Sequence, residues 1–356
     1  MDGAAVLRWC RTRPSTTEEL PFGPGARVFK VAGKMFALTA AVDDPETVSL
    51  KCDPQFAEHL RARHAAIAPG YHLNKRHWNT VRLDGSLPSD LVEELLGHSY
   101  TLVVDGLPRR ERDSLRARAA LHRARELLDA GWHLTGDFDA AEPPLVQARR
   151  LAEGCGDQAT LAAALDQLGI LLHFRNLERR QPDGTIEGDP TGADEELALF
   201  ERGLSLRREL GDDEAIAESL FHVGLVHQLF TGRWDLAEAR FREAQALAAT
   251  AGDAYLRSEV HRHLGAVAWH AGDMDVAIRE LTRSLELRES DYEVDTVPSG
   301  LIALGQVHLA AGHRAEGIDN LRRGIELAER LGMREWSTVP ARRALDQAIT
   351  GEEGDE

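Results

Sequence analysis

A turn opened by glycine returns along this chain at a fixed interval, and that interval constrains the fold more than any other feature. The turns read GDFDAA (136–141), GRWDLA (232–237), GDMDVA (272–277) and GHRAEG (312–317), with first glycines 96, 40 and 40 residues apart. Seven or eight residues upstream of each, a small residue follows an apolar one: LD (128–129), VG (223–224), LG (264–265) and LG (304–305). Another LG falls at 168–169, so these positions step by 40, 55, 41 and 40. A second turn marker, GD, recurs at 156–157, 211–212 and 252–253. Between the turns apolar residues follow helical spacing, as in Ala277, Ile278, Leu281, Leu285 and Leu287. The pattern predicts a helix–turn–helix unit repeated about five times over 113–332, in an all-α solenoid domain reaching about residue 350. The 55-residue step is one period plus an insert, RNLERRQPDGTIEGDPTG (175–192), rich in Gly, Pro and Asp. A stacked unit buries its apolar face only against its neighbours, so the amphipathic stretch 335–349 is expected to cap the open end.

This region resembles the tetratricopeptide repeat (TPR) family. The pattern LGxVxxxxGDxxxAIxxLxxSLxL at 264–287 carries the resemblance, with Ala237, Ala277 and the small residues expected where paired helices cross. Its period of 40 departs from the usual ~34; longer units of this kind occur in bacterial regulatory proteins of the family. The resemblance implies a TPR-like fold and a groove that takes a protein or peptide. With the recurring glycine as a ruler, positions two before it face the groove as Leu127, Gln167, His222, His263 and Ala303. Positions four after it are His133, His173, Gln228, Trp269 and Leu309. The candidate groove set is therefore His133, Gln167, His173, His222, Gln228, His263 and Trp269. It reads as a polar lining for an acidic peptide or small ligand; the plainer alternative is a row of solvated surface histidines. The HRH at 261–263 is no metal pair, because residues i and i+2 of a helix point apart.

Charge separates this region from what precedes it. The whole chain carries a net charge of −17, but residues 1–112 hold 15 Lys+Arg against 14 Asp+Glu, leaving 27 against 45 for the rest. All four lysines (Lys30, Lys34, Lys51 and Lys75) lie in the first part. An acidic solenoid repels nucleic acid at long range, so any DNA contact falls to the N-terminal part. There the grammar is of another kind. An apolar helix (Ala4–Cys10) is followed by a break at PFGPG (21–25), then by two strands in 26–40 around Ala32-Gly33-Lys34. TVSLKC (47–52) is a third strand, and Asp53 caps a helix beginning at Pro54 and running to about His64. APGYHLNKR (68–76) reads as a loop and HWNTVRLDG (77–85) as a fourth strand. Pro88 and Ser89 open a helix, with a second short one through Tyr100–Val104. The expectation is an α+β domain with an antiparallel sheet over 1–110, joined by LPRRER (107–112) to the solenoid domain at 113–350.

PFGPGARVFKVAGKMFAL, VSLKCDP, PGYHLNKRHWNTVRLDGSLP and SYTLVVDGLP resemble the MmcQ/YjbR family across essentially all of 1–110. The resemblance implies a compact α+β fold related to bacterial frataxin, and DNA binding. Frataxin-like iron binding needs an acidic ridge on the first helix, which Asp2, Glu18 and Glu19 do not form.

The residues themselves offer a docking element for an anion. Lys75 and Arg76 supply charged donors to phosphate, and His72 and Asn74 add neutral hydrogen bonds. Trp78 or Tyr71 could stack on a base or sugar. Lys34 and Lys51 could join the same patch. The plainer alternative places Trp78 in the core and leaves the cations to solvate a loop.

Motifs for nucleotide phosphates, zinc hydrolysis or a serine nucleophile are absent, so the expectation is a non-enzymatic protein with no catalytic residue, metal or cofactor. Three scattered cysteines (Cys10, Cys52 and Cys155) fit a reducing cytoplasm, and no apolar run predicts a membrane span or signal peptide. Two functions stay open. One is a cytoplasmic DNA-associated regulator whose solenoid recruits a protein. The other is a scaffold or small-ligand-binding protein with no nucleic-acid role.

Overall fold

The computed structural model describes residues 1–131, 137–179, 192–251, 253–290, 296–333 and 338–350. The chain forms two compact units, Met1–Thr135 with Pro143–Leu161, and Gly136–Glu142 with Ala162–Glu356.

The first unit opens with α1 (Gly3–Arg11), capped where the Asp2 carboxylate accepts the Ala5 N–H at 2.7 Å. Six strands follow: β1 (Thr16–Glu19), β2 (Ala26–Val31), β3 (Lys34–Ala40), β4 (Thr47–Lys51), β5 (Ile67–Pro69) and β6 (Trp78–Arg82). They pair antiparallel throughout in the order β1-β2-β3-β4-β6-β5. Helix α2 (Pro54–Arg63) has the expected Asp53 cap, which accepts from Gln55 and Phe56 at 3.0 and 3.3 Å.

Alternation along the strands aims Phe29, Val31, Ala37, Val48, Leu50 and Val81 at one core with Leu95, Leu96 and Val103 of α3 (Ser89–Asp105). Two strands were not expected. β1 is polar and β5 only three residues long; both are edge strands, where pairing on one side suffices. Helix α3 is one helix of 17 residues, not two. Its β-branched end is held helical by burial of Val103 and by Ser99, which donates to the Phe36 carbonyl at 2.6 Å.

Helix α4 (Arg109–Ala130) and α5 (Glu142–Cys155) pack with this unit. Leu107 and Leu115 join the sheet's core. Asp157 ties α4 to the start of α6 (Gln158–Glu178), accepting from Ser114 at 2.5 Å, Arg118 at 3.2 Å and Thr160 at 2.9 Å.

The second unit is a TPR-like run of helix pairs: α6 with α7 (Gly192–Leu210), α8 (Asp213–Leu229) with α9 (Trp234–Ala251), α10 (Ala254–His270) with α11 (Met274–Ser290), and α12 (Val297–Ala310) with α13 (Arg314–Arg330). The recurring glycine is the crossing point of every pair. A Cβ on Gly169 would stand 2.6 Å from the Phe200 ring; on Gly224, 2.5 Å from Phe241; on Gly265, 2.7 Å from Leu281; on Gly305, 2.9 Å from Leu321. No side chain fits there, which is why the glycine keeps the repeat's period. The turn glycines have a separate reason: Gly272 ends α10 at φ +81°, and the next N–H, of Asp273, bonds back to Ala268 at 2.9 Å. Helix α14 (Val339–Thr350) buries Ala341 against Leu321 and Ile325 at the end of the run, where a cap was expected. Of the expected insert, 175–178 is the helical end of α6, and 180–191 lies outside the described residues. Among the described residues no helix is long and apolar enough to cross a membrane.

Candidate anion-docking loop and solenoid groove

The basic-aromatic segment forms the β5–β6 loop, and its shape is locally determined. Gly70 donates its N–H to the Trp78 carbonyl at 2.8 Å, and a Cβ there would meet Trp78 Cβ at 2.7 Å. Only glycine lets the chain turn back so closely. Tyr71 N–H bonds Thr80 Oγ1 at 3.2 Å, and His72 takes a left-handed φ of 53°. Asn74 then builds the next turn, accepting from Arg76 N–H through Oδ1 and from His77 N–H through its carbonyl, both at 3.0 Å. Arg61 on α2 donates to the Lys75 carbonyl at 2.7 Å and holds the loop from below.

Fixed in this way, the loop leaves its charges outward. His72, Lys75 and Arg76 are exposed, and none has an ion pair among the described residues. The loop's aromatic face belongs to Tyr71, 74% exposed with its ring centroid 4.0 Å from that of His72. Trp78 is buried at 9% exposure, so its ring is part of the domain's packing.

Topology brings the two other candidates to the same end of the sheet. Lys34 follows the Ala32-Gly33 turn, whose φ values of 48° and 73° suit a tight hairpin, and it is exposed. Lys51 ends β4 opposite Trp78, half-buried, with its N–H bonded to Ser99 at 2.7 Å. Strands β3, β4 and β6 are neighbours, so the two lysines and the loop lie at one end of three adjacent strands. Arg61 joins the same neighbourhood from the last turn of α2. Sequence reasoning missed it, although an arginine at a helix end beside a basic loop is a readable signal.

The groove candidates in the solenoid behave otherwise. His173 Nδ1 meets the fully buried Glu196 at 2.7 Å, and Asn176 bonds the other carboxylate oxygen at 2.7 Å. His222 stacks on Phe200 with centroids 4.9 Å apart; burial drives its pKa down to about 4 and keeps the ring neutral. Gln228 and His263 meet, Oε1 to Nδ1 at 2.7 Å, and Arg262 bonds His263 Nε2 at 2.8 Å. Burial, then the charge of Arg262, holds the His263 pKa well below the ordinary range. Gln167 is half-buried, and Trp269 is 38% exposed. His133 lies outside the described residues. His261 and His263 do diverge: His261 turns to Glu280 of α11 at 2.6 Å while His263 turns to α8.

Two buried arginines complete the polar interior, and the sequence did not announce them. Arg207 of α7 pairs with Asp166 of α6 and bonds the Ala215 carbonyl and Ser219 of α8 at 2.7 and 2.9 Å. Arg288 of α11 pairs with Glu259 of α10 and bonds the Thr296 carbonyl and Ser299 at 2.6 and 2.8 Å. Each lies seven residues after the side chain that packs on its repeat's crossing glycine, and each ties one helix pair to the next. Burial opposes the Glu259 charge, but Arg262 and Arg288 hold its pKa at about 2. Cys10 and Cys52 are buried thiols, and burial pushes their pKa to about 12 and 11, so neither is a ready nucleophile. Among the described residues, no three His, Cys, Asp or Glu side chains gather as a metal site.

The YjbR family model matches residues 11–102. The protein YjbR of Escherichia coli K12 is 38% identical over 110 residues, which cover 31% of this chain and 93% of that protein. A Deinococcus radiodurans protein of known crystal structure is 46% identical, with 32% of this chain and 88% of that one covered and a TM-score of 0.31. The TPR-like repeats of a kinesin light chain from Podosopora anserina are 15% identical, covering 60% of this chain and 96% of that one with a TM-score of 0.40. That last likeness is partial, and the TPR-like assignment rests on the helix pairs and their crossing glycines.

Proposed function

The chain belongs to the YjbR family through its N-terminal domain, and from that premise we propose that it is a non-enzymatic cytoplasmic docking protein with two ends. The β5–β6 loop docks the phosphates of duplex DNA, and the TPR-like run recruits a protein or peptide, so the whole acts as a DNA-associated regulator. We place the division near residue 110, just past the end of the family match at residue 102. The carrying observation is the set of exposed cations Lys34, Lys75 and Arg76, without ion pairs among the described residues, at one end of the sheet beside the exposed Tyr71 ring. Spare cations next to an exposed aromatic suit a sugar-phosphate backbone, where charge neutralisation supplies affinity and a ring stacks without reading sequence. The domain's charge is close to balance, so the expected binding is local and weak rather than spread over a basic face.

The test is a titration of fluorescent duplex DNA with the full chain at several salt concentrations. Binding that weakens steeply with salt and is lost in the Lys75→Ala/Arg76→Ala variant supports the reading. No binding at low salt overturns it and leaves a scaffold or small-ligand role for the domain.

A further inference from the structure

Two cavities lie between neighbouring repeats of the second unit, and they differ in how their arginines are paired. The first, about 440 Å³, sits among α7, α8 and α9, with Arg208 and Arg240 in its wall beside Glu201 and Glu209. Its arginines are answered from within: Glu243 pairs with Arg208 at 2.5 Å and with Arg240 at 3.5 Å. The second, about 170 Å³, sits one repeat on among α9, α10 and α11, lined by Arg257, Arg283, Gln245 and His261 over Val260 and Leu287. No carboxylate lines it among the described residues. Nearby acids are already engaged. Glu280 gives one oxygen to His261 at 2.6 Å and the other to Arg242 at 3.6 Å, and Glu286 pairs with Arg283 at 2.8 Å. The Arg257 side chain has no ion pair or hydrogen bond among the described residues, and its Nε is buried without a partner. A permanently charged donor left bare at a cavity wall is a cost that a bound acceptor removes.

We propose that this second cavity binds a phosphate-type dianion, with Arg257 as the principal donor and Arg283 and Gln245 beside it. The volume admits one such group and little more. Val260 and Leu287 give it an apolar floor. A guanidinium offers a planar fork that matches two oxygens of one phosphate, which suits a tetrahedral oxyanion better than a diffuse negative surface. The assignment is independent of the DNA reading, because these residues belong to the acidic part of the chain.

The test uses the full chain in a Lys75→Ala/Arg76→Ala background, so that the N-terminal loop contributes nothing. Inorganic phosphate is titrated calorimetrically at constant ionic strength, then replaced by O-phosphoserine. The expected result is saturable one-to-one binding that weakens at least tenfold in Arg257→Gln and is unchanged in Arg208→Gln, the control in the first cavity. Arg257→Gln should keep or raise the melting temperature, since it removes a buried bare donor, so loss of binding cannot be charged to unfolding. Tighter binding of phosphoserine would identify a phosphoester as the source; preference for inorganic phosphate would identify the free ion. Absence of saturable phosphate binding, or binding indifferent to Arg257→Gln, overturns the proposal and leaves Nε to water.

Discussion

The β5–β6 loop and the solenoid's polar row are built from the same residue types and use them in opposite ways. In the loop, His72, Lys75 and Arg76 are exposed and their backbone, not their side chains, holds the shape. In the solenoid, His173, His263, Arg207 and Arg288 are each bonded to a neighbour, and most of them are buried. Charge that the fold does not need is free for a partner; charge that the fold has consumed is not. By this criterion histidine-rich spacing in a repeat is weak evidence for a ligand. The loop is the better candidate although its domain is nearly neutral.

The sharpest way to break this comparison is to remove a solenoid arginine. Arg207→Ala removes the guanidinium that pairs with the buried Asp166 carboxylate and keeps the Ser219 hydrogen bond to it. Breaking such a pair costs about 3–5 kcal/mol, a fall of roughly 10 °C in melting temperature for a unit of this size. A fall of less than about 2 °C on calorimetry would show that the pair is not structural, and the contrast with the loop would collapse.

Next in size is a response to acid. The folded pKa of His222 is depressed to about 4 by burial, while the unfolded chain keeps about 6.5. Above pH 6.5 both states are neutral there, and the full stability is present. As pH falls from about 6.5 towards about 4, the unfolded state takes up the proton first, so stability drops, by about 3 kcal/mol in all. Denaturant melts of wild type and His222→Gln across that window should differ in slope, with the variant flatter. Parallel slopes would mean that His222 titrates normally and is exposed to water.

Gly224→Ala comes third. Its Cβ would lie 2.5 Å from the Phe241 ring, which is fully buried and has nowhere to go. Overpacking of this kind costs about 1–3 kcal/mol. The turn glycine Gly272 has open space but a φ of +81°, so Gly272→Ala should cost nearer about 1 kcal/mol. Equal losses in the two variants would mean that the helix crossing is looser than the Phe241 distance implies.

These glycines also explain how much of the molecule was legible beforehand. A crossing that tolerates no Cβ and a turn at positive φ each admit one residue, so both leave a periodic mark in the sequence. Helix pairs, turns and cap followed from that mark. The edge strands did not, because Thr16–Glu19 carries no apolar alternation and Ile67–Pro69 is too short to show any. The solenoid interior was less legible still. Gln228 and His263 were each placed in the groove set, but nothing in their separation of 35 residues says that they bond each other. Asp166 and Arg207 look like any other charged residues of an acidic helical chain until α6 and α7 are packed. In the loop, the candidates were found by composition, while the turn that Asn74 builds was not read from the sequence. The inward rotation of Trp78 depends on Gly70 crossing it, a packing relation that no local rule supplies.

The smallest expected effect completes the comparison. Lys75→Ala/Arg76→Ala removes two exposed cations that have no ion pair among the described residues, while the bonds that shape the loop run through the Lys75 carbonyl and the Arg76 N–H, which the substitutions keep. The melting temperature should therefore stay within the equivalent of about 0.5 kcal/mol of wild type. DNA affinity should nonetheless fall, and the slope of log affinity against log salt should become shallower by about 2, one for each phosphate that is no longer neutralised. The two measurements constrain each other. A stability loss with unchanged salt slope would make Lys75 and Arg76 structural, like the arginines of the solenoid. An unchanged melting temperature with a shallower slope is the behaviour of charge held in reserve for a partner, and it separates the loop from the buried ion pairs of Arg207 and Arg288.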